Sequence, residues 1–292
     1  MVILGSHCSM KAPKFLLGSV QEALSYGANA LMIYTGPPQN TLRKPVEMLK
    51  IQEAHELMKA HDIPMENMIV HAPYIINLGN SVKPETYQLG VDFLKNEIKR
   101  VKAIGAKYLI LHPGSHTIAS FEDGMNQIIQ GLNEVLCEGD DVIICLETMS
   151  GKGSEVGFTF EQIQHMIENT KLNHKLGVCL DTCHIHDAGY DVSQFDQILD
   201  EFDRIIGLDR LKVIHVNDSK NVQGAKKDRH SNLGEGHIGF KALCNVVHHP
   251  KLEHVIKILE TPWICDEAPY KIEIEMLKNK SYDPTALDAL RK

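Results

Sequence analysis

The chain alternates without a break between short apolar, β-branched runs and amphipathic stretches of helical length, and no other feature of the sequence restricts the fold as strongly. Eight such runs recur: VILG from Val2, ALMIY from Ala30, MIV from Met68, YLIL from Tyr108, DVIICL from Asp141, LGVCL from Leu176, LKVIHV from Leu211 and HVIKIL from His254. A helix between two strands returns the chain to its starting end, so successive strands lie parallel. The stretch PKFLLGSVQEALSYG closes on Gly27, and PETYQLGVDFLKNEIKRVKAIG opens on Pro84 and closes on Gly105, residues suited to those caps. With no linker rich in Pro, Gly or Ser, the pattern predicts an α/β fold: one (β/α)8 TIM-type barrel over residues 1–292, its site at the C-terminal strand ends. An open doubly wound sheet is the second choice. The first strand is followed by GSHCSM and not by a G-x-G-x-x-G turn, and no G-x-x-x-x-G-K-[ST] motif occurs, so neither dinucleotide nor nucleotide phosphate binding has its usual signature.

Composition excludes several classes. A chain with 43% hydrophobic and 23% charged residues can bury a full core and is not disordered. No stretch approaches the roughly 18 uncharged apolar residues of a membrane span, and MVILGSHCSM lacks a basic region followed by an apolar run. The expectation is a cytoplasmic protein without a membrane partner. Seven dispersed cysteines point to a reducing compartment, with Cys179 and Cys183 as buried small side chains. Thirty basic against 38 acidic residues, net −8, taken alone argue against nucleic acid. Carboxylates that coordinate cations are not free charge, however, so the argument turns on metal.

Six of the eight runs lead to a metal-ligating residue at or beside their C-terminal ends: His71, His112, Glu147, Asp181, His215 and Glu260. In a barrel these ends share one mouth. His184 follows Asp181 at i+3, and Asp228 and His230 alternate in the polar loop after His215. Nine nitrogen and oxygen ligands are too many for one tetrahedral ion and suit two or three of zinc, manganese or iron. No serine, cysteine or lysine triad motif competes with them.

The segments HAPY (71–74), ILHPGSH (110–116), CLETMSGKGSEVG (145–157), GVCLDTCH (177–184), HVNDSK (215–220), DRHSNLGEGHIG (228–239) and ILETP (258–262) resemble, in order, the endonuclease IV family of apurinic/apyrimidinic endonucleases of base excision repair. The resemblance implies three Zn2+ ions, with Mn2+ or Fe2+ as substitutes. By it His71, His112 and Glu147 hold the first; Glu147 bridges to a second held also by Asp181, His215 and Glu260; His184, Asp228 and His230 hold the third. It further implies hydrolysis 5′ to an abasic site in double-stranded DNA by metal-bridged hydroxide, with Glu147 as catalytic residue. The products would be a 3′-hydroxyl and a 5′ deoxyribose phosphate, and a 3′-diesterase activity is expected beside it. The protein would act as a monomer in the cytoplasm, on DNA, without an obligate protein partner. The loop TGPPQNTLRK would enter the minor groove, with Gln39, Asn40 and Arg43 as polar contacts, Leu42 as wedge and Tyr74 as an aromatic face. Lys220 and Arg229 stand with Lys44, Lys152, Lys226 and Lys227 as candidates for phosphate contact. Three divalent ions would offset most of the negative excess. The rival reading is a xylose-isomerase-like sugar isomerase or epimerase using two divalent metals, which has less need of the His184, Asp228, His230 set; a non-catalytic metal- or DNA-binding protein is the other.

Overall fold

The computed structural model describes residues 2–292. Eight strands, β1 (Leu4–His7), β2 (Ala30–Ile33), β3 (Met68–His71), β4 (Tyr108–Leu111), β5 (Ile143–Glu147), β6 (Leu176–Asp181), β7 (Leu211–His215) and β8 (Ile256–Leu259), pair in parallel in chain order. β8 pairs with β1, Leu4 opposite Lys257, which closes the barrel. The strands overlap the apolar runs with ends shifted by no more than two residues, and β1 is displaced from the run Val2–Gly5 to Leu4–His7. Asp141 and Val142 precede β5, and His254 and Val255 precede β8, because ladder pairing begins only where a neighbour is in register.

Strands buried on both faces, such as β2 (ALMI) and β4 (YLIL), are continuously apolar instead of alternating, whereas β1 (LGSH) ends in polar residues and β8 carries the buried Lys257. The barrel interior is filled by Ala30, Met32, Ile69, Ile110, Cys145, Cys179, Val213, Ile256 and Ile258. Residues of opposite parity, such as Leu31, Val70, Leu109 and Leu146, pack outward on the helices. Gly5 is required by proximity: a Cβ there would lie 1.9 Å from the Ala30 carbonyl oxygen on β2.

The outer ring comprises α1 (Phe15–Ser25), α2 (Ile51–Ala60), α3 (Pro84–Ile104), α4 (Phe121–Val135), α5 (Phe160–Glu168), α6 (Thr182–Ala188), α7 (Phe195–Ile205), α8 (Phe240–Val247) and α9 (Tyr270–Asn279). α3 begins at Pro84 and stops at Gly105, which takes φ 85°, as the sequence indicated. Two short antiparallel ladders stand in the loops above the strand ends: Gly114–Ser115 against Glu155–Val156, and Asp218–Ser219 against His230–Ser231. Among the described residues no helix is long and apolar enough to cross a membrane.

Candidate metal centre

Glu147, the last residue of β5, is 1% exposed and stands at the centre of the mouth. One carboxylate oxygen lies 3.1 Å from His71 Nε2 and 3.1 Å from His112 Nε2. The other lies 3.0 Å from His215 Nδ1. His215 Nδ1 is in turn 2.9 Å from Glu260 and 3.7 Å from Asp181. The ligand atoms of His71, His112 and Glu147 form one tight group, and those of Glu147, Asp181, His215 and Glu260 a second. Strand geometry accounts for this convergence, since residues at the ends of successive barrel strands share one rim.

His184, Asp228 and His230 also meet: His184 Nε2 is 3.2 Å and His230 Nε2 3.7 Å from Asp228 Oδ1. Asp181 lies beside this trio, 3.8 Å from His230 Nε2, and so stands between the second and third groups as Glu147 stands between the first and second. Its other oxygen accepts the His184 N–H and caps α6. Spacing alone offered no sign of this double role.

Three imidazoles are turned by their own backbone neighbourhood. Nδ1 of His71 lies 2.7 Å from the Ala72 carbonyl, that of His184 2.8 Å from the Thr148 carbonyl and that of His230 3.2 Å from the Glu260 carbonyl. In each, Nδ1–H donates to the carbonyl and Nε2 is left to face the carboxylates, the arrangement that orients metal-bound histidine. His215 Nε2 and His230 Nε2 are buried without a hydrogen-bond partner. The electrostatics agree. Burial pushes the carboxyls of Glu147, Glu260 and Asp228 up, but the adjacent histidines, His215 foremost for the first two and His184 for Asp228, hold all three below the usual carboxylate range. Burial likewise lowers His184 and His215, and acidic neighbours, Asp181 for the one and Cys179 with Glu260 and Glu147 for the other, raise both well above the usual imidazole value. A buried site that draws protons onto its imidazoles lacks positive charge, and divalent cations supply that charge while leaving the rings neutral. The donor set therefore fits borderline transition metals such as zinc.

Supporting residues that the strand-end pattern did not single out complete the centre. Asn217 donates to Asp181 at 2.7 Å and accepts the Glu260 N–H at 2.9 Å, holding two ligands from different strands. Thr148 accepts the Asp181 N–H. Asp218 is wholly buried and accepts N–H bonds from Ser219, Gly234, Gly236, Ile238 and Gly239. A Cβ on Gly236 would lie 2.4 Å from the Asp218 carboxylate. Glu273 of α9 accepts from Thr261, Asn232 and Leu233 and ties the segment after Glu260 to the segment after His230. The one visible signal for these residues was the polar Asn217-Asp218 pair beside His215.

The loop after β2 requires a correction. Arg43, expected against DNA phosphate, is folded inward: its Nε donates to Glu97 at 2.8 Å, one terminal nitrogen serves the carbonyls of Pro37, Asn40 and Leu42, and the guanidinium lies 4.7 Å over Phe93. Its side chain is 5% exposed and its second terminal nitrogen is buried without a partner, so it staples the loop to α3 out of reach of phosphate. Asn40 accepts the Leu42 N–H and shapes the same turn, whereas Leu42 is 73% exposed at its tip. Gln39 and Tyr74 line a cavity of about 430 Å3 with His7, Tyr34, Glu260 and His230, and Tyr34 donates to the Tyr74 hydroxyl at 2.8 Å. Lys220 is exposed beside the centre, Arg229 donates to the Asp228 carbonyl, and Lys152 pairs with Asp228 at 3.1 Å.

Comparison with known proteins agrees with this geometry. The family model described as a xylose isomerase-like TIM barrel matches residues 20–280. The chain is 59% identical over its whole length to a protein named "Probable endonuclease 4" from Listeria welshimeri, 99% of which is covered. It is 58% identical over 97% of both chains to a protein of that name from Oceanobacillus iheyensis. Endonuclease IV from Thermus thermophilus superposes with a TM-score of 0.81 at 29% identity, covering 95% of this chain and 99% of that one. A D-tagatose 3-epimerase-like protein, with a TM-score of 0.66 at 17% identity, shares the fold alone. Matched along its full length by these relatives, the chain belongs to the endonuclease IV family of xylose isomerase-like TIM barrels.

Proposed function

We propose that the protein is a zinc-dependent DNA-repair endonuclease that hydrolyses the phosphodiester 5′ to an abasic site in duplex DNA, leaving a 3′-hydroxyl and a 5′ deoxyribose phosphate. The observation that carries this reading is the division of Glu147, one oxygen toward His71 and His112 and the other toward His215, as a bridging carboxylate requires. Three ions are assigned: His71, His112 and Glu147 to the first, Glu147, Asp181, His215 and Glu260 to the second, and His184, Asp228 and His230 to the third. Bound there, divalent ions supply a nucleophile at neutral pH and stabilise both the attacking and the leaving oxygen of an in-line displacement.

The chain itself does the rest. Asn217 and the backbone carbonyls of Ala72, Thr148 and Glu260 hold the ligands in orientation, so little reorganisation accompanies the reaction. The cluster is recessed in the barrel mouth, and a phosphodiester reaches it once the nucleotide has turned out of the stack, at least cost where a base is already missing. The cavity beside Glu260 and His230 receives the displaced deoxyribose, with Gln39 and Tyr74 at its edge and Leu42 as the wedge in the minor groove. Lys220 and Arg229 approach phosphates from the opposite loop. The same arrangement accepts a phosphoester at a 3′ end, hence a 3′-diesterase activity. Sugar isomerisation is the weaker reading, because the third group of ligands has no task in a two-metal proton transfer. The test is a duplex with a single abasic site, incubated with protein before and after chelation. A metal-dependent break 5′ to the lesion bearing a 3′-hydroxyl supports the reading; intact DNA with isomerised ketose would replace it.

A further inference from the structure

We propose that Asp187, buried on α6, is a positioning residue for the third cation: its carboxylate folds the segment 219–228 so that Asp228 meets His184 and His230. This rests on the reading of the mouth as a three-metal centre. Asp187 is 0% exposed, and every bond to its carboxylate comes from the loop after β7. One oxygen accepts the Ser219 hydroxyl at 2.7 Å. The other accepts the Asn221 amide at 2.9 Å, the Asp228 N–H at 2.7 Å and the Lys227 N–H at 3.3 Å. The Asp187 carbonyl takes the Lys226 N–H at 2.9 Å, and the neighbouring His186 carbonyl takes the Gly224 N–H at 2.9 Å.

The conformation held in this way is one the loop would not choose unaided. Lys226 has φ 53° and Asp228 φ 57°, left-handed values that side chains with a Cβ disfavour unless the surroundings impose them. Asp228 is the one third-group ligand that lies in neither a strand nor a helix, whereas His184 rides on α6 and His230 on the short ladder opposite Ser219. His184 and Asp187, three residues apart on α6, thus provide one ligand and the anchor for another. Removing the carboxylate takes away the acceptor of the Asp228 N–H and lets the loop relax to ordinary backbone angles, which withdraws Asp228 Oδ1 from its place 3.2 Å from His184 Nε2. The ligands of the first two groups end barrel strands and bond nowhere to Asp187.

Asp187→Ala and Asp187→Asn separate this role from general stability. An asparagine oxygen accepts the Asp228 and Asn221 donors, and its amide donates to the Ser219 hydroxyl, so the loop keeps its shape. Zinc-loaded proteins are dialysed against buffers of graded chelator strength, zinc per chain is measured by elemental analysis, and kcat and KM on an abasic duplex are read separately. The wild type should hold three ions. Asp187→Ala should hold two at a chelator strength where the wild type holds three, with the third bound about 10–100-fold more weakly. Its kcat should fall with KM little changed, and Asp187→Asn should keep three ions. The proposal is overturned if Asp187→Ala keeps its third ion at the wild-type midpoint, if it loses all ions or its fold together, or if Asp187→Asn loses the third ion equally. A wild type that binds fewer than three ions or leaves abasic DNA uncut overturns instead the reading of the site on which this rests.

Discussion

Glu147 and Asp218 are both buried carboxylates of the same barrel mouth, yet their surroundings are opposite. Glu147, on a strand end, looks at imidazoles from His71, His112 and His215, and its charge awaits positive partners. Asp218, one step into a loop, is satisfied by five backbone N–H groups and asks for nothing more. The contrast extends across the site. Asp181 and Glu260 share the surroundings of Glu147, while Glu97 under the loop 36–44, Asp187 under 219–228 and Glu273 under 231–233 resemble Asp218 in facing donors from the chain. Acids of the strand rim thus make a candidate cation site, and acids beneath the loops serve as staples that give irregular backbone a single shape. A rim acid should matter to chemistry and metal, a staple to stability and geometry.

The largest expected effect is at the rim. Glu147→Gln keeps the volume but weakens the bridge, so nicking of abasic duplex should fall by about 1,000-fold or more while DNA binding stays within a few-fold. A parallel loss of binding in a gel-shift titration would move Glu147 out of the chemistry and blur the distinction.

The staple counterpart is Arg43→Ala, which leaves the buried Glu97 with the Thr35 hydroxyl as its remaining side-chain donor. It should destabilise the protein by about 3 kcal/mol in denaturant unfolding, with the salt dependence of DNA binding unchanged. A salt slope flattened by about one unit at unaltered stability would instead make Arg43 a phosphate contact.

Between rim and loops lies the third group, whose Asp228 comes from the irregular segment 220–229 whereas the ligands of the first two groups lie at or beside strand ends. Under graded chelation one ion should leave first, at a free-metal concentration about 10-fold above that of the other two, seen as a plateau at two ions per chain by elemental analysis. Simultaneous loss of all three would show that the loop-built site is as firm as the strand-built pair.

The smallest effect concerns Glu273. Burial pushes its carboxyl up to about 7, against the three donors that favour the ionised form. A carboxyl raised on folding contributes stability that is fully present below its unfolded value, about 4.5, and lost as pH rises through about 7. In chelated protein the stability of Glu273→Gln should therefore decline less than that of the wild type over this window, by about 1–2 kcal/mol. Equal slopes in urea titrations at pH 5 and pH 8 would show that the donors outweigh burial.

Much of this was readable without coordinates because the relevant periodicities are local. A strand buried on both faces is a run of apolar residues, and its last residue reaches the mouth wherever the barrel closes, so His71, His112, Glu147, Asp181, His215 and Glu260 needed only their place in the alternation. Arg43 was misread because a basic side chain in a Gly-Pro loop has the same local appearance whether it faces solvent or, as here, a glutamate on α3. Asp187 and Glu273 carried no local mark either, since their donors lie on other segments, and Asp218 showed only as a polar neighbour of His215, its donors lying up to 21 residues further along the chain.

The sequence by itself determined the barrel, the face on which its chemistry lies and the nine residues able to hold metal, since these follow from side-chain polarity and spacing along the chain. Tertiary structure alone decided that Asp181 joins two groups of ligands, that Arg43 turns inward, and which buried acids face imidazoles and which face N–H groups. The physical reason is that the state of a buried carboxylate depends on whatever lies within about 4 Å in space, in a medium where each unbalanced charge is costly, and chain distance carries almost no information about those neighbours.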